Sequence, residues 1–191
     1  MTSLAVALQA LDQGHPIVLP TDTVYGIGVM PAVTGAVKAL FHAKRRAESN
    51  PLPVLGATAE SLGAVGHFDR VAVEFAEGFW PGPLTLVLPR AEGWTYYLGG
   101  EDPGTVAVRI PACRIARELL AQSGPLAVSS ANRSGGAPAT TVAEAREMLG
   151  HSVEVYLDGG VRSGAASTVL SLVGAPVVLR EGAIPASELL A

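Results

Sequence analysis

The sequence predicts an α/β fold, a single domain built on a mixed parallel/antiparallel sheet with flanking helices, and two observations lead there. Apolar runs of strand length alternate along most of the chain with segments whose apolar residues recur at helical spacing. Near the end, STVLSL and VVLR follow each other without a helical segment between them, so part of the sheet must pair antiparallel. A chain of 191 residues suits one well-buried core, and no repeat, linker or compositional break divides it, so one domain is expected over 1–191.

Each element has its own signal. Ser3 can cap a helix on which Leu4, Ala7, Leu8 and Leu11 share a face, and Gly14 can end it. Residues 17–19 read as a short buried strand. Pro20 and TDTVYGIG read as a loop after that strand, where Gly26 and Gly28 allow a sharp turn or close approach to a ligand. A helix over 34–43 places Ala36, Val37, Leu40 and Phe41 inward and runs into KRRAESNPLPVL, which puts a basic cluster at a helix end. Strands follow over 52–55, 84–88, 106–110 and 126–130, with helices over 71–79, 114–121 and 142–149. VEVYL, STVLSL and VVLR supply the last strands.

Composition narrows the function classes. Charged residues make up only 16% and the formal net charge is −4, which argues against a globally basic nucleic-acid binder and makes any anion site local. The uncharged stretch 165–179 near the C-terminus falls short of the ~20 apolar residues that a spanning helix needs, and Gly174 and Pro176 break it. The N-terminus lacks a basic region before its apolar residues and carries Asp12 among them, so a cytoplasmic protein without membrane association is expected. Cys113 is the single cysteine, and His15, His42, His67 and His151 lack ligand spacing, so neither a disulfide nor a zinc site is foreseen. No G-x-x-x-x-G-K-[ST] loop, dinucleotide fingerprint or G-x-S-x-G elbow occurs.

Four places can carry chemistry. Lys44, Arg45 and Arg46 concentrate positive charge, and a guanidinium fork beside a compact ammonium suits a polyphosphate; the same cluster also suits a solvated helix end. SSANRSGG, at 129–136, offers hydroxyls, an amide and glycines just past the carboxyl end of a strand, as either a ligand loop or a plain turn. Arg109 lies in the apolar strand TVAVRIP on the face opposite Val108 and Ile110; it either finds an anionic partner under cover or reaches solvent from an edge. Arg180 poses the same choice.

Taken in order, PTDTVYGIG, AKRRAESNPLPVL, WPGPLTLVL, TVAVRIP and SSANRSG, followed by LDGG, STV and LREGAIP, resemble the YrdC-like family, which includes the threonylcarbamoyl-AMP synthases of tRNA modification. The resemblance covers nearly the whole chain and is closest to the short bacterial form, without a further C-terminal domain. It implies a twisted mixed sheet with a concave ligand site. It also implies that L-threonine, bicarbonate and ATP are joined into an adenylated threonine carbamate with release of pyrophosphate. Magnesium would travel on the phosphates, and no general base is named. A tRNA-modification transferase complex would use the product, and tRNA is a further partner.

Carried over residue by residue, the resemblance gives Thr23 and Arg109, with Ser167, to threonine. It gives Arg46, Asn50, Thr105, Ser130, Asn132 and Arg180 to ATP. Lys44, with Arg46, would neutralise charge where the carbamate meets the phosphate. The chain departs from the family at Ala47 for a proline, Arg45 for a glycine, Leu55 for a histidine near threonine and Pro138 for a serine near ATP. Two other readings stand beside the synthase: a non-catalytic tRNA- or dsRNA-binding paralogue, and carbamoyl transfer to a different acceptor.

Overall fold

The computed structural model describes residues 3–100, 104–162 and 164–190. In chain order its elements are α1 (Leu4–Asp12), β1 (Ile17–Pro20), β2 (Tyr25–Val29), α2 (Ala36–Lys44), β3 (Val54–Leu55), α3 (Ala59–Gly63), α4 (Arg70–Phe79) and β4 (Leu84–Pro89). These lead into β5 (Thr105–Arg109), α5 (Arg114–Ser123), β6 (Leu126–Ser130), α6 (Val142–Leu149), β7 (Val155–Tyr156), β8 (Thr168–Ser171), β9 (Val177–Arg180) and α7 (Ala186–Leu189). The strands form one nine-stranded sheet in the order β7-β1-β2-β6-β3-β5-β4-β8-β9. Parallel pairing joins β7 to β1, β3 to β5 and β4 to β8, and the other neighbours run antiparallel, including β8 with β9 as the missing helix foretold.

Alternation along the strands sorts the sheet into two faces. Ile27, Val29, Val54, Leu86, Val108 and Ala127 point to one face and join the larger core. Helix α2 contributes Val37, Leu40 and Phe41 to that core, and α4 contributes Ala72 and Ala76. On the other face α1 and α5 cover only one end, where Leu11, Leu119 and Leu120 pack on Ile17, Leu19, Leu126 and Val128. Beyond those helices the same face lies open, and that opening becomes the site. Caps fix the helix starts as well. Ser3 accepts from Val6 N at 3.4 Å, and Asp69 accepts from Ala72 N at 2.8 Å.

The structure corrects several boundaries. The stretch expected to be a loop through 20–28 turns only at 21–24, and Tyr25–Val29 is a fully buried strand. Its glycines hid that strand: a Cβ at Gly26 would sit 2.7 Å from Val128 Cγ1, so close packing of β2 against β6 selects glycine within a strand. Strand β3 is shorter than 52–55 because Leu52 N donates to Leu98 O at 2.8 Å and Pro53 has no N–H to give to the ladder. Helices α3 and α7 were not foreseen; α3 starts from a reciprocal Thr58–Ser61 cap. Among the described residues no helix is long and apolar enough to cross a membrane.

Candidate functional site

The uncovered half of the sheet face holds a cavity of about 340 Å³. Its walls are the 21–24 turn, the 51–55 segment, and the ends of β5, β6 and β9. Thr23, Arg46, Arg109, Ser130, Ser167 and Arg180 all line it, brought together from stretches far apart in sequence.

Arg109 ends β5 and is 5% exposed. Its Nη2 donates to Asp22 Oδ1 at 2.7 Å, its Nη1 to Thr23 Oγ1 at 3.2 Å and its Nε to Gly82 O at 2.9 Å. Burial pushes the guanidinium below its ordinary pKa, Asp22 works against that shift, and nearby Arg180 adds to it. Asp22 is held in turn by Ala112 N at 3.0 Å. The turn beneath is locked too, since Thr21 and Thr23 hydroxyls lie 2.9 Å apart and Thr21 Oγ1 donates to Val24 O at 2.6 Å. Three of the five N–H donors that an arginine carries are thus engaged, and the remaining two have no protein acceptor among the described residues.

Across the cavity Arg180 Nη2 donates to Ser167 O at 2.8 Å and to Ser167 Oγ at 3.3 Å, and that hydroxyl lies 2.9 Å from Thr85 Oγ1. Arg46 reaches the wall with Nε and Nη2 resting on Asn50 O at 3.4 and 3.2 Å. Partial burial lowers its pKa.

Lys44 stands apart from the cavity it was expected to line. It is 1% exposed and lies behind the loop after β6, donating through Nζ to Ser130 O, to Asn132 O at 2.7 Å and to Asn132 Oδ1 at 3.4 Å. The loop returns a bond, Ser134 N to Lys44 O at 3.0 Å. Asn132 spends its amide on Arg133 O and Gly136 O at 2.8 and 2.7 Å. Burial, followed by repulsion from Arg46, lowers Lys44 from 10.5 to about 8. Of these four residues, Ser130 and Arg46 reach the cavity, while Lys44 and Asn132 brace them. Asn50 meets the site through its carbonyl, and Thr105 and the exposed Asn50 side chain lie outside the wall.

Sequence reasoning missed Asp22, although it sits between two threonines already noted, and it missed Thr85. It also missed a brace under the 21–24 turn. Tyr25 OH donates to Gly160 O at 2.7 Å and Arg162 Nη1 to Thr21 O at 3.2 Å, which ties LDGG to the threonine-rich turn. The departures Leu55 and Pro138 both line the cavity, and Arg45 takes up the left-handed conformation, with φ 51°. For magnesium, the described residues hold no cluster of three or more metal-ligating side chains, and Asp22 is committed to Arg109 and Ala112. A protein-held magnesium cage therefore does not fit this wall.

The family model Sua5_yciO_yrdC, whose description reads telomere recombination, matches residues 9–182. A Mycobacterium tuberculosis protein provisionally named threonylcarbamoyl-AMP synthase is 43% identical over 181 residues, which are 93% of this chain and 83% of that protein. The Pyrococcus abyssi threonylcarbamoyl-AMP synthase is 40% identical across 97% of this chain, which spans 56% of that longer protein. The crystal structure of P. abyssi Sua5 complexed with L-threonine superimposes with a TM-score of 0.91 at 39% identity, covering 97% of this chain and 56% of that one. E. coli YciO shares the fold, with a TM-score of 0.87 at 24% identity and coverage of 95% and 90%. On the matched residues, the identities and the shared fold, this chain belongs to the Sua5/YciO/YrdC family.

Proposed function

We propose that this protein is a threonylcarbamoyl-AMP synthase, a nucleotidyltransferase that makes L-threonylcarbamoyladenylate and pyrophosphate from L-threonine, bicarbonate and ATP. One observation carries the reading: a buried arginine, fixed by Asp22 yet keeping two N–H donors without an acceptor among the described residues, shares a small cavity with Arg46, Arg180 and Ser130. That is a carboxylate grip opposite a phosphate grip. The synthase names of the relatives and the L-threonine bound by P. abyssi Sua5 support it.

In this scheme Arg109 takes the threonine carboxylate, with Thr23 and Ser167 beside it. The amine and bicarbonate form a carbamate, losing water. A carbamate oxygen attacks the α-phosphorus of ATP in line, the bond to the bridging oxygen breaks, and pyrophosphate leaves with that oxygen. Such a transfer depends on alignment and on cations placed where charge gathers. Arg46 and Arg180 supply the cations and Ser130 a hydroxyl, while Lys44 and Asn132 hold the loop that presents Ser130. Asn50 and Thr105 belong to the nucleotide side only if ATP extends past the cavity wall. Magnesium would be held by phosphates and water rather than by side chains. Delivery of the adenylate to a tRNA-modification transferase, contact with tRNA and a cytoplasmic setting belong to the same proposal.

The test is pyrophosphate release from ATP, magnesium and bicarbonate with and without L-threonine, beside Arg46→Ala and Arg109→Gln, and with serine as a second amino acid. Release should require threonine, fall at least a hundredfold in Arg46→Ala, and show a raised threonine KM in Arg109→Gln. Threonine-independent RNA binding with steep salt dependence and no release would instead establish a binding module.

A further inference from the structure

A second concavity, of about 460 Å³, lies on the outer side of Arg46, lined by Lys38, His42, Arg45, Arg46, Arg133 and Glu48 among others. Four arginine and lysine side chains face one carboxylate there, in a chain whose formal net charge is −4. Among the described residues the ion pairs are Arg70–Glu74, Arg109–Asp22 and Arg114–Glu118, so none of these four cations is neutralised. Glu48 accepts instead from the Tyr97 hydroxyl. The carboxyl end of α2 favours positive charge nearby, but Arg133 comes from the loop after β6, anchored by Nε to Met148 O at 2.8 Å. A helix dipole alone does not gather these residues.

Arg45 ends α2 in the left-handed conformation, at φ 51° and ψ 43°, in a turn closed by Arg45 N donating to His42 O at 3.0 Å and Arg46 N donating to Phe41 O at 2.9 Å. That turn leaves the exposed Arg45 side chain on the rim of the concavity, without an ion-pair partner among the described residues. Arg46 lines both hollows. An anion leaving the reaction cavity past Arg46 therefore meets Arg45, Lys38 and Arg133 next.

We propose that this outer concavity is a pyrophosphate-binding site, a way station for the leaving group, with Arg45 as the cation that this chain adds to it. Its place in the reaction rests on the adenylation reading; its affinity for pyrophosphate does not. Paired guanidinium groups match the forked oxygens of a diphosphate. The bounded hollow, joined to the cavity through one shared arginine, suits a small polyanion better than a nucleic-acid duplex.

Calorimetric titration of inorganic pyrophosphate into the full chain decides the matter, with the reaction cavity first saturated by AMP. Wild-type protein should bind pyrophosphate beside AMP. Arg45→Gly combined with Lys38→Gln should weaken that binding at least tenfold, leave AMP affinity within twofold and keep the protein folded. Equal pyrophosphate affinity in wild type and variant, or competition with AMP alone, overturns the proposal, as does a variant that loses only binding to an RNA duplex. If AMP does not bind, the adenylation reading is what fails, and titration of the free protein still decides whether the outer concavity takes pyrophosphate.

Discussion

Two buried cations frame the candidate site, and they are held in opposite ways. Arg109, 5% exposed, is neutralised by Asp22 and gripped by a carbonyl and a hydroxyl. Lys44, 1% exposed, has no carboxylate partner among the described residues and is satisfied by two carbonyls and a side-chain amide oxygen of the loop it braces. A charge pair fixes a side chain to a point, whereas a lysine bonded to loop carbonyls fixes a backbone to a shape. The first arrangement suits a residue that must meet a ligand, and the second suits one that holds a neighbour in place.

The largest expected effect tests the pair. Asp22→Ala leaves Arg109 buried without its counter-ion and should cost about 3–5 kcal/mol, read by urea unfolding. Joint replacement by Asp22→Leu and Arg109→Met should recover most of that loss while leaving no carboxylate grip. Lys44→Met should cost less, about 1.5–3 kcal/mol, since it removes hydrogen bonds to a charged group without orphaning an opposite charge. Equal losses in Asp22→Ala and Lys44→Met would break the contrast between them.

The two cations also differ in their response to pH. Lys44 has a folded pKa of about 8 against an ordinary 10.5, so between those values the unfolded chain binds more protons than the native one. Unfolding free energy from this group therefore rises with pH across that window and is flat below it. Lys44→Met should abolish the slope, measured by urea unfolding at about pH 7.5 and 9.5, with a difference of roughly 1–3 kcal/mol. Smaller again is Arg45→Gly, which should stabilise by about 0.5–1 kcal/mol and raise Tm by about 1–4 °C. At the bottom lies Glu74→Ala. Its pair with Arg70 has side chains 60% and 91% exposed, and its loss should stay below about 0.5 kcal/mol, against the buried pair's several.

How legible these parts were follows from the reach of the forces involved. Strand Leu126–Ser130 and helix Val142–Leu149 match the sequence expectation residue for residue, because apolar periodicity within a few positions decides them. Strand β2 was misread because its glycines answer to Val128 on another strand, a constraint with no local trace. Asp22 and Arg109 are 87 residues apart, so nothing along the chain announces their bond. Lys44 and Arg46 read as one cationic pair, yet the left-handed turn at Arg45 sends one behind the loop and the other to the cavity.

By itself, then, the sequence determined the class of fold, most helices and strands, the antiparallel end of the sheet and a short set of residues from which a site could be drawn. Those follow from local periodicity, caps and turns, and from five motifs kept in order. Only the tertiary structure decided which of those residues face the cavity and which brace it, that Asp22 neutralises Arg109, and that a second cationic hollow adjoins Arg46. Burial, charge pairing and the direction of a side chain depend on what the rest of the chain brings against it, and that is settled only when the sheet is assembled.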